Sequence, residues 1–254
     1  MNSFADRVVI VTGGSQGIGR AYVEAFVRDG AKVAIFDLSN PEQTANEISS
    51  DGDRVIGIRV DVTDRSQVQE AFDRTVRQFG HVDVLVNNAA FYEGLTFQPF
   101  DRITDQDWDR SMNVNVKGVW LMCSIAAPHM RERNYGRIIN ISSNVVFMGK
   151  TNFLHYVTSK GAVWALTNAM SREFAGTAIT VNCVAPGYTI TPATRNMSSP
   201  EEVAELERQI LAAQSIRRLL EAEDMVGAVQ YLASDSAAMV TGQTITVDGG
   251  VIVG

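Results

Sequence analysis

The sequence predicts an α/β fold: a doubly wound, mainly parallel seven-stranded sheet with helices on both faces, in a single domain spanning 1–254. Three observations predict it. Short β-branched runs alternate with segments of helical periodicity along the chain. The first run ends in a glycine-rich turn that opens directly into a helix. No linker, repeat or low-complexity stretch divides the chain, and a composition 45% hydrophobic and 20% charged supplies a core of domain size.

Val8-Val9-Ile10-Val11 ends at Thr12 and reads as a buried parallel strand. Gly13-Gly14-Ser15-Gln16-Gly17-Ile18-Gly19 follows, and a helix runs from it through Ala21, Ala25 and Phe26 to a stop at Gly30. Strand, glycine turn and helix together point to phosphate binding. Glycines let the backbone approach a pyrophosphate, and the helix N-terminus offers N–H donors and the positive end of a dipole. The spacing is Gly-x3-Gly-x-Gly, not the commonest dinucleotide fingerprint. Lys32 to Asp37 is the second strand. Asp37 stands at its end, 18 residues past Gly19, where a carboxylate accepts hydrogen bonds from an adenosine ribose and repels a 2′-phosphate. No Lys or Arg stands at Gln16 or Leu38, so NAD is expected rather than NADP. The alternative for Asp37 is a cap on the next helix.

Arg54 to Val60 is a third strand closing on Asp61-Val62, with a helix around Val68, Phe72 and Val76 that stops at Gly80. Val82 to Val86 is a fourth strand, followed by Asn87-Asn88-Ala89-Ala90. After a loop from Phe91 to Asp101, one helix is expected from Asp105 to Met130, carrying Asn113 and Asn115. Arg137 to Ile141 is a strand that ends in Ser142-Ser143-Asn144; a helix through Tyr156 and Lys160 reaches Phe174. Ala178 to Val184 closes on Ala185-Pro186-Gly187. The polar stretch 188–215 reads as a mobile, irregular lid with a helix from Pro200 to about Ala213. A last helix, Ala222 to Ala233, and a strand, Gln243 to Val247, finish the sheet. The motifs fall at strand carboxyl ends, where such sheets form a crevice.

Tyr156 and Lys160 lie one helical turn apart on one face. A cation at that distance favours the phenolate and is expected to lower the tyrosine from its ordinary value of about 10, giving a general acid/base near neutral pH. Net charge is −7 with no basic stripe, so no nucleic-acid partner is expected. Met1 to Arg7 carries charges where a signal peptide needs an apolar run, and no stretch of about 18 apolar residues offers a membrane span. Cys123 and Cys183 read as buried thiols, and the three histidines lack ligand spacing, so no metal is expected. These features lead to an expectation of a cytoplasmic protein without a membrane partner.

Assembled, these residues resemble the short-chain dehydrogenase/reductase superfamily, of the classical type, from Val8 to Gly250. Thr12-Gly13-Gly14-x-x-Gly17-Ile18-Gly19 looks like its cofactor turn, and Asn87-Asn88-Ala89 like its sheet-stabilising motif. Ala90 stands where glycine is more usual, which is expected to narrow the crevice slightly. Asn115-x-x-Gly118, Ser143, and Tyr156-x-x-x-Lys160 resemble the catalytic set; Pro186-Gly187 with Thr191 resembles the nicotinamide-side motif. The resemblance implies a Rossmann-type fold and a homotetramer. It also implies hydride transfer between a nicotinamide and an alcohol/carbonyl pair. By that resemblance Tyr156 moves the proton, Lys160 lowers its pKa and holds the nicotinamide ribose, and Ser143 polarises the substrate oxygen. Asn115 positions a water, Asp61 and Val62 bracket the adenine, and Thr189 and Thr191 hold the carboxamide. Asn113, about 200° from Asn115 on a helix, reads as structural. Ser142 should face away from Ser143, and His155 should line the pocket without taking part in chemistry.

Residues expected at the substrate are Asn144, Val145, Phe153 and Tyr188, with Phe91, Tyr92 and Glu93 at the rim. That wall suits a small hydrophobic or aromatic alcohol/carbonyl pair. The alternatives are a 3-oxoacyl-carrier-protein reductase, for which Arg131, Arg133 and Arg172 are candidate carrier contacts, a polyol or sugar dehydrogenase, and a catalytically silent NAD-binding regulator.

Overall fold

The computed structural model describes residues 4–49, 53–92, 94–95 and 97–253. The seven strands are β1 (Val8–Thr12), β2 (Lys32–Asp37), β3 (Val55–Arg59), β4 (Val84–Asn87), β5 (Gly136–Ile141), β6 (Ile179–Pro186) and β7 (Thr244–Val247). They form one sheet in the order β3-β2-β1-β4-β5-β6-β7, and every pairing is parallel. β1, β4, β5 and β6 are buried along their whole length, as expected for strands covered on both faces. Strand order reverses between β1 and β4, which opens a crevice at their carboxyl ends.

The helices are α1 (Gly17–Arg28), α2 (Pro41–Ile48), α3 (Arg65–Phe79), α4 (Asp105–Met112), α5 (Gly118–Arg133), α6 (Val145–Met148), α7 (Leu154–Glu173), α8 (Pro192–Arg195), α9 (Pro200–Ala213) and α10 (Val226–Ala233). Tyr22, Phe26, Val229 and Leu232 from α1 and α10 pack with Val9, Val11 and Val184 on one face. Phe72, Met122, Met130 and Val163 from α3, α5 and α7 pack with Ile10, Leu85 and Ile138 on the other. Full burial of one such side chain contributes about 1.5–3 kcal/mol, so these two layers fix the sheet.

Several expected boundaries change. The single helix from Asp105 to Met130 is broken: a π-helical turn over Asn113–Lys117 separates α4 from α5. The extra residue of that turn carries Asn115 inward while Asn113 stays exposed. The last helix begins with a 3-10 turn over Ala222–Met225 before α10. The stretch after Gly187, expected to be irregular before α9, contains α8, held by a capping box between Thr191 and Thr194. Thr189 pairs with Leu220 across the base of this segment. None of the described helices is long and apolar enough to cross a membrane.

Candidate active site

A cleft of about 760 Å³ opens at the carboxyl ends of β1, β2, β4, β5 and β6. At one end lies the glycine turn. Gly13 adopts φ +64°, and Gly19 sits so close to the Gly13 carbonyl that a Cβ would lie 2.0 Å from its oxygen. Asn88 braces the turn by donating from Nδ2 to the carbonyls of Thr12 and Gly13, both at 3.0 Å. The Thr12 hydroxyl in turn accepts from the N–H groups of Asn88 and Ala89, each at 3.0 Å. Beneath them, Asn87 donates to Asn140 at 2.8 Å, and Asn140 to Thr167 at 2.9 Å, tying β4, β5 and α7 together.

The residues fit a dinucleotide. The Ser15 hydroxyl is buried in the turn without a hydrogen-bond partner among the described residues; Ser15 itself is not in the cleft lining, which Gly13, Gln16, Gly17, Ile18 and Gly19 of the turn supply. Gln16, Gly17, Ile18, Leu38, Val62, Ala90, Pro186 and Gly187 line the same cleft. The Ala90 methyl is exposed at its edge. Asp37 accepts from the Ser15 N–H at 3.0 Å and the Ser39 N–H at 2.9 Å, so it organises the turn rather than capping α2. One Asp61 oxygen accepts from the Thr63 N–H at 2.9 Å and hydroxyl at 2.7 Å, which fixes the carboxylate beside the cleft. The Thr189 hydroxyl donates to the Gly187 carbonyl at 3.1 Å, and Thr191 caps α8.

Ser143 and Tyr156 line the cleft toward its other end. The Ser143 hydroxyl donates to the Pro186 carbonyl at 3.4 Å and accepts from the Val145 N–H at 3.4 Å, and Tyr156 is 9% exposed. Burial pushes the Tyr156 phenol up, and the Ser143 contact only partly opposes it. This corrects the expectation that Lys160 lowers it. The Lys160 ammonium lies 5.7 Å from the Tyr156 ring centre and donates instead to the Ile141 carbonyl at 2.8 Å. Its own burial pushes it down to about 8, so it offers the phenol less positive charge than an exposed lysine would.

Asn115 is 1% exposed and joins two elements. Its Nδ2 donates to the Ser159 hydroxyl at 3.0 Å, and its Oδ1 accepts from the Phe91 N–H at 2.6 Å. Its direct partners are therefore α7 and the loop after β4, and no bond joins it to Lys160. Ser142 is turned from Ser143 as expected, yet it has a use: its hydroxyl donates to the Lys160 carbonyl at 2.8 Å and ties α7 to β5.

His155 departs from its expected place at the pocket. It is 1% exposed, packs edge-on against Phe153 at 5.7 Å, and lies outside the cleft lining. Burial pushes it down, so the neutral ring is favoured, and neither nitrogen has a hydrogen-bond partner among the described residues.

Asn144, Val145, Phe153 and Tyr188 line the cleft, with Phe91 and Tyr92. Glu93, expected at the rim, lies outside the described residues. Asn144 is held by the Asp248 carboxylate at 3.2 Å, and Tyr188 donates to Glu207 of α9 at 3.2 Å. Sequence reasoning missed Met197, Leu206 and Ile210, which cover the cleft from the lid side. The spacing of Val203, Leu206 and Ile210 along α9 was a readable apolar stripe. It also missed Asp248, although that residue follows a strand end as the other motifs do. Its side chain accepts from the N–H groups of Gly250, Val251 and Ile252.

A family model described as enoyl-(acyl carrier protein) reductase matches residues 13–252. The chain is 36% identical to a probable galactose dehydrogenase of Rhizobium meliloti, over 97% of this chain and 95% of that one. It is 34% identical to a 3-oxoacyl-acyl-carrier-protein reductase of Thermotoga maritima, over 97% and 98%. It is 35% identical to a cis-4-hydroxycyclohexanecarboxylate dehydrogenase of Sinomonas cyclohexanicum, over 98% and 97%. A crystal structure of levodione reductase superposes with a TM-score of 0.89 at 29% identity, over 97% of this chain and 98% of that one. With a parallel Rossmann-like sheet, a braced glycine turn and a Ser–Tyr pair in one cleft, the chain belongs to the short-chain dehydrogenase/reductase superfamily, whose members are oxidoreductases that use NAD or NADP.

Proposed function

We propose that the protein interconverts a secondary alcohol and a carbonyl compound with NAD, on a hydrophobic or aromatic substrate. The observation that carries the reading is the buried Tyr156 phenol, which shares the cleft of the glycine turn with Ser143 and with Lys160, whose ammonium lies 5.7 Å from the Tyr156 ring centre. Bound nicotinamide supplies the hydride chemistry. The Tyr156 phenol exchanges the proton with the substrate oxygen, and the Ser143 hydroxyl holds that oxygen by donating or accepting. The Lys160 ammonium, with a pKa near 8, sets the charge beside the phenol. Asn115 positions α7 through Ser159, and a water at Asn115 is part of the proposal.

NAD is proposed because Asp37 at the end of β2 lines the cleft, and a carboxylate there would repel a 2′-phosphate. The wall of Phe153, Tyr92, Met197, Leu206 and Ile210 supports an apolar substrate. Among the relatives, the alicyclic acid dehydrogenase agrees with that wall better than the galactose dehydrogenase does. The carrier-protein reading is weaker within one chain. Arg131 and Arg133 precede β5 and Arg172 ends α7, so all three lie at the end of the sheet opposite the cleft. A homotetramer is proposed from the outward Trp120 and Trp164 on α5 and α7, beside Ala165 and Ala169; light scattering should give about four times 27.7 kDa.

Initial rates with NAD on aryl and alicyclic secondary alcohols, against free sugars, test the substrate class. Alcohols should be oxidised faster, and Tyr156→Phe should lose about 10²–10⁴-fold in kcat while NADH binding persists. Full turnover by that variant, or faster sugar oxidation, refutes the reading.

A further inference from the structure

The cleft contains a run of aromatic rings that leads away from the reacting end. Tyr156 stacks on Phe153 at 4.7 Å and 30°, and Phe153 meets Phe97 at 4.6 Å. Above Phe97, at 6.0 Å from the ring centre, stands the Lys150 ammonium. All four side chains line the cleft.

Lys150 makes no ion pair among the described residues. Lys150 is half-buried and lines the cleft together with Met148, Phe97 and Val145. The surrounding protein is acidic overall, at −7. A cation without an ion-pair partner among the described residues, set among apolar side chains, offers no contact to an uncharged hydrocarbon substrate. It suits a ligand that is apolar in the middle and anionic at its far end. Arg110 also lines the cleft; it is exposed and its guanidinium carbon lies 4.0 Å from the centre of the Phe91 ring, whereas Lys150 stands over Phe97 itself, next to Phe153 in the run.

The geometry points to a hydroxy acid, or the matching oxo acid, built on a ring. The carbinol reaches Tyr156 and Ser143, the ring lies against Phe153 and Phe97, and a remote carboxylate sits on Lys150. This rests on the proposed role of Tyr156 and names the substrate class for that same site. The same cation could serve the phosphates of a coenzyme A thioester; the apolar lining around it favours the compact carboxylate.

The test compares 4-hydroxycyclohexanecarboxylate, its methyl ester and its coenzyme A thioester as substrates with NAD. The acid should exceed the ester by about tenfold or more in kcat/KM, the size of one charge-assisted contact. Lys150→Met should bring that ratio to about one, and Lys150→Glu should invert it. A thioester preferred to the acid, or a ratio near one in the unaltered enzyme, overturns the inference. A second measurement needs no turnover. Cyclohexanecarboxylate and its methyl ester are titrated into the enzyme–NADH complex by NADH fluorescence. The acid should bind about tenfold more tightly, and Lys150→Met should abolish the difference. Equal binding overturns the role of Lys150. Discrimination in binding without oxidation of either alcohol supports Lys150 and instead refutes the alcohol-oxidoreductase reading.

Discussion

Lys160 and Ile141 are joined by a 2.8 Å hydrogen bond from ammonium to backbone carbonyl, in a place where the lysine is 3% exposed. The bond holds the cation 5.7 Å from the centre of the Tyr156 ring and gives one of its three N–H donors a partner that is not a carboxylate. Burial remains the larger effect and pushes Lys160 down to about 8 from 10.5. Below about pH 8 the folded chain holds a buried charge. Between about 8 and 10.5 the unfolded chain keeps a proton that the folded chain has released, so this group's contribution to stability rises with pH. Urea melts of Lys160→Met and the unaltered protein at pH 7, 8, 9 and 10 isolate it. The stability difference should shift in favour of the unaltered protein as pH rises through that window, and a flat difference contradicts the assignment.

Asp37 receives N–H groups from Ser15 and Ser39, which hold both of its oxygens at the β2 end of the cleft. On the proposed reading, Asp37→Ala removes a ribose acceptor and a like-charge barrier together, and frees two donors. The ratio of kcat/KM for NADH over NADPH should fall by about ten- to a hundredfold. An unchanged ratio would mean that other residues set the preference.

Gly19 is packed where a side chain has no room. A Cβ would stand 2.0 Å from the Gly13 oxygen and 2.6 Å from Asn88 Nδ2, the atom that braces the turn. Gly19→Ala should therefore cost about 1–3 kcal/mol in a urea melt and weaken NADH binding at least about tenfold by fluorescence titration. Normal stability with normal binding would show that the turn relaxes at no cost.

The aromatic stack beside Tyr156 shows where local pattern stopped being informative. Phe153 and His155 lie two residues apart, and both were expected at the pocket. The fold puts Phe153 against Tyr156 in the cleft and turns His155 away from it. The same holds for Tyr156 itself. Spacing predicts that a lysine one turn away lowers its pKa, but the burial of both groups decides the direction. Neither effect can be computed from neighbours in sequence, because desolvation depends on what other segments cover.

By itself the sequence determined the sheet, its strand-end motifs and the glycine turn, and it named Ser143, Tyr156, Lys160 and Asn115 as the proposed catalytic set. These rest on periodicity, glycine geometry and fixed spacings, which are properties of short stretches. The tertiary structure alone decided the π turn that brings Asn115 inward, the Ile141 carbonyl as the partner of Lys160, and the aromatic run ending at Lys150. Each of these joins segments distant in the chain or resolves a competition between packing and backbone geometry. The choice is made by which surfaces must be buried together, and only the folded chain contains that information.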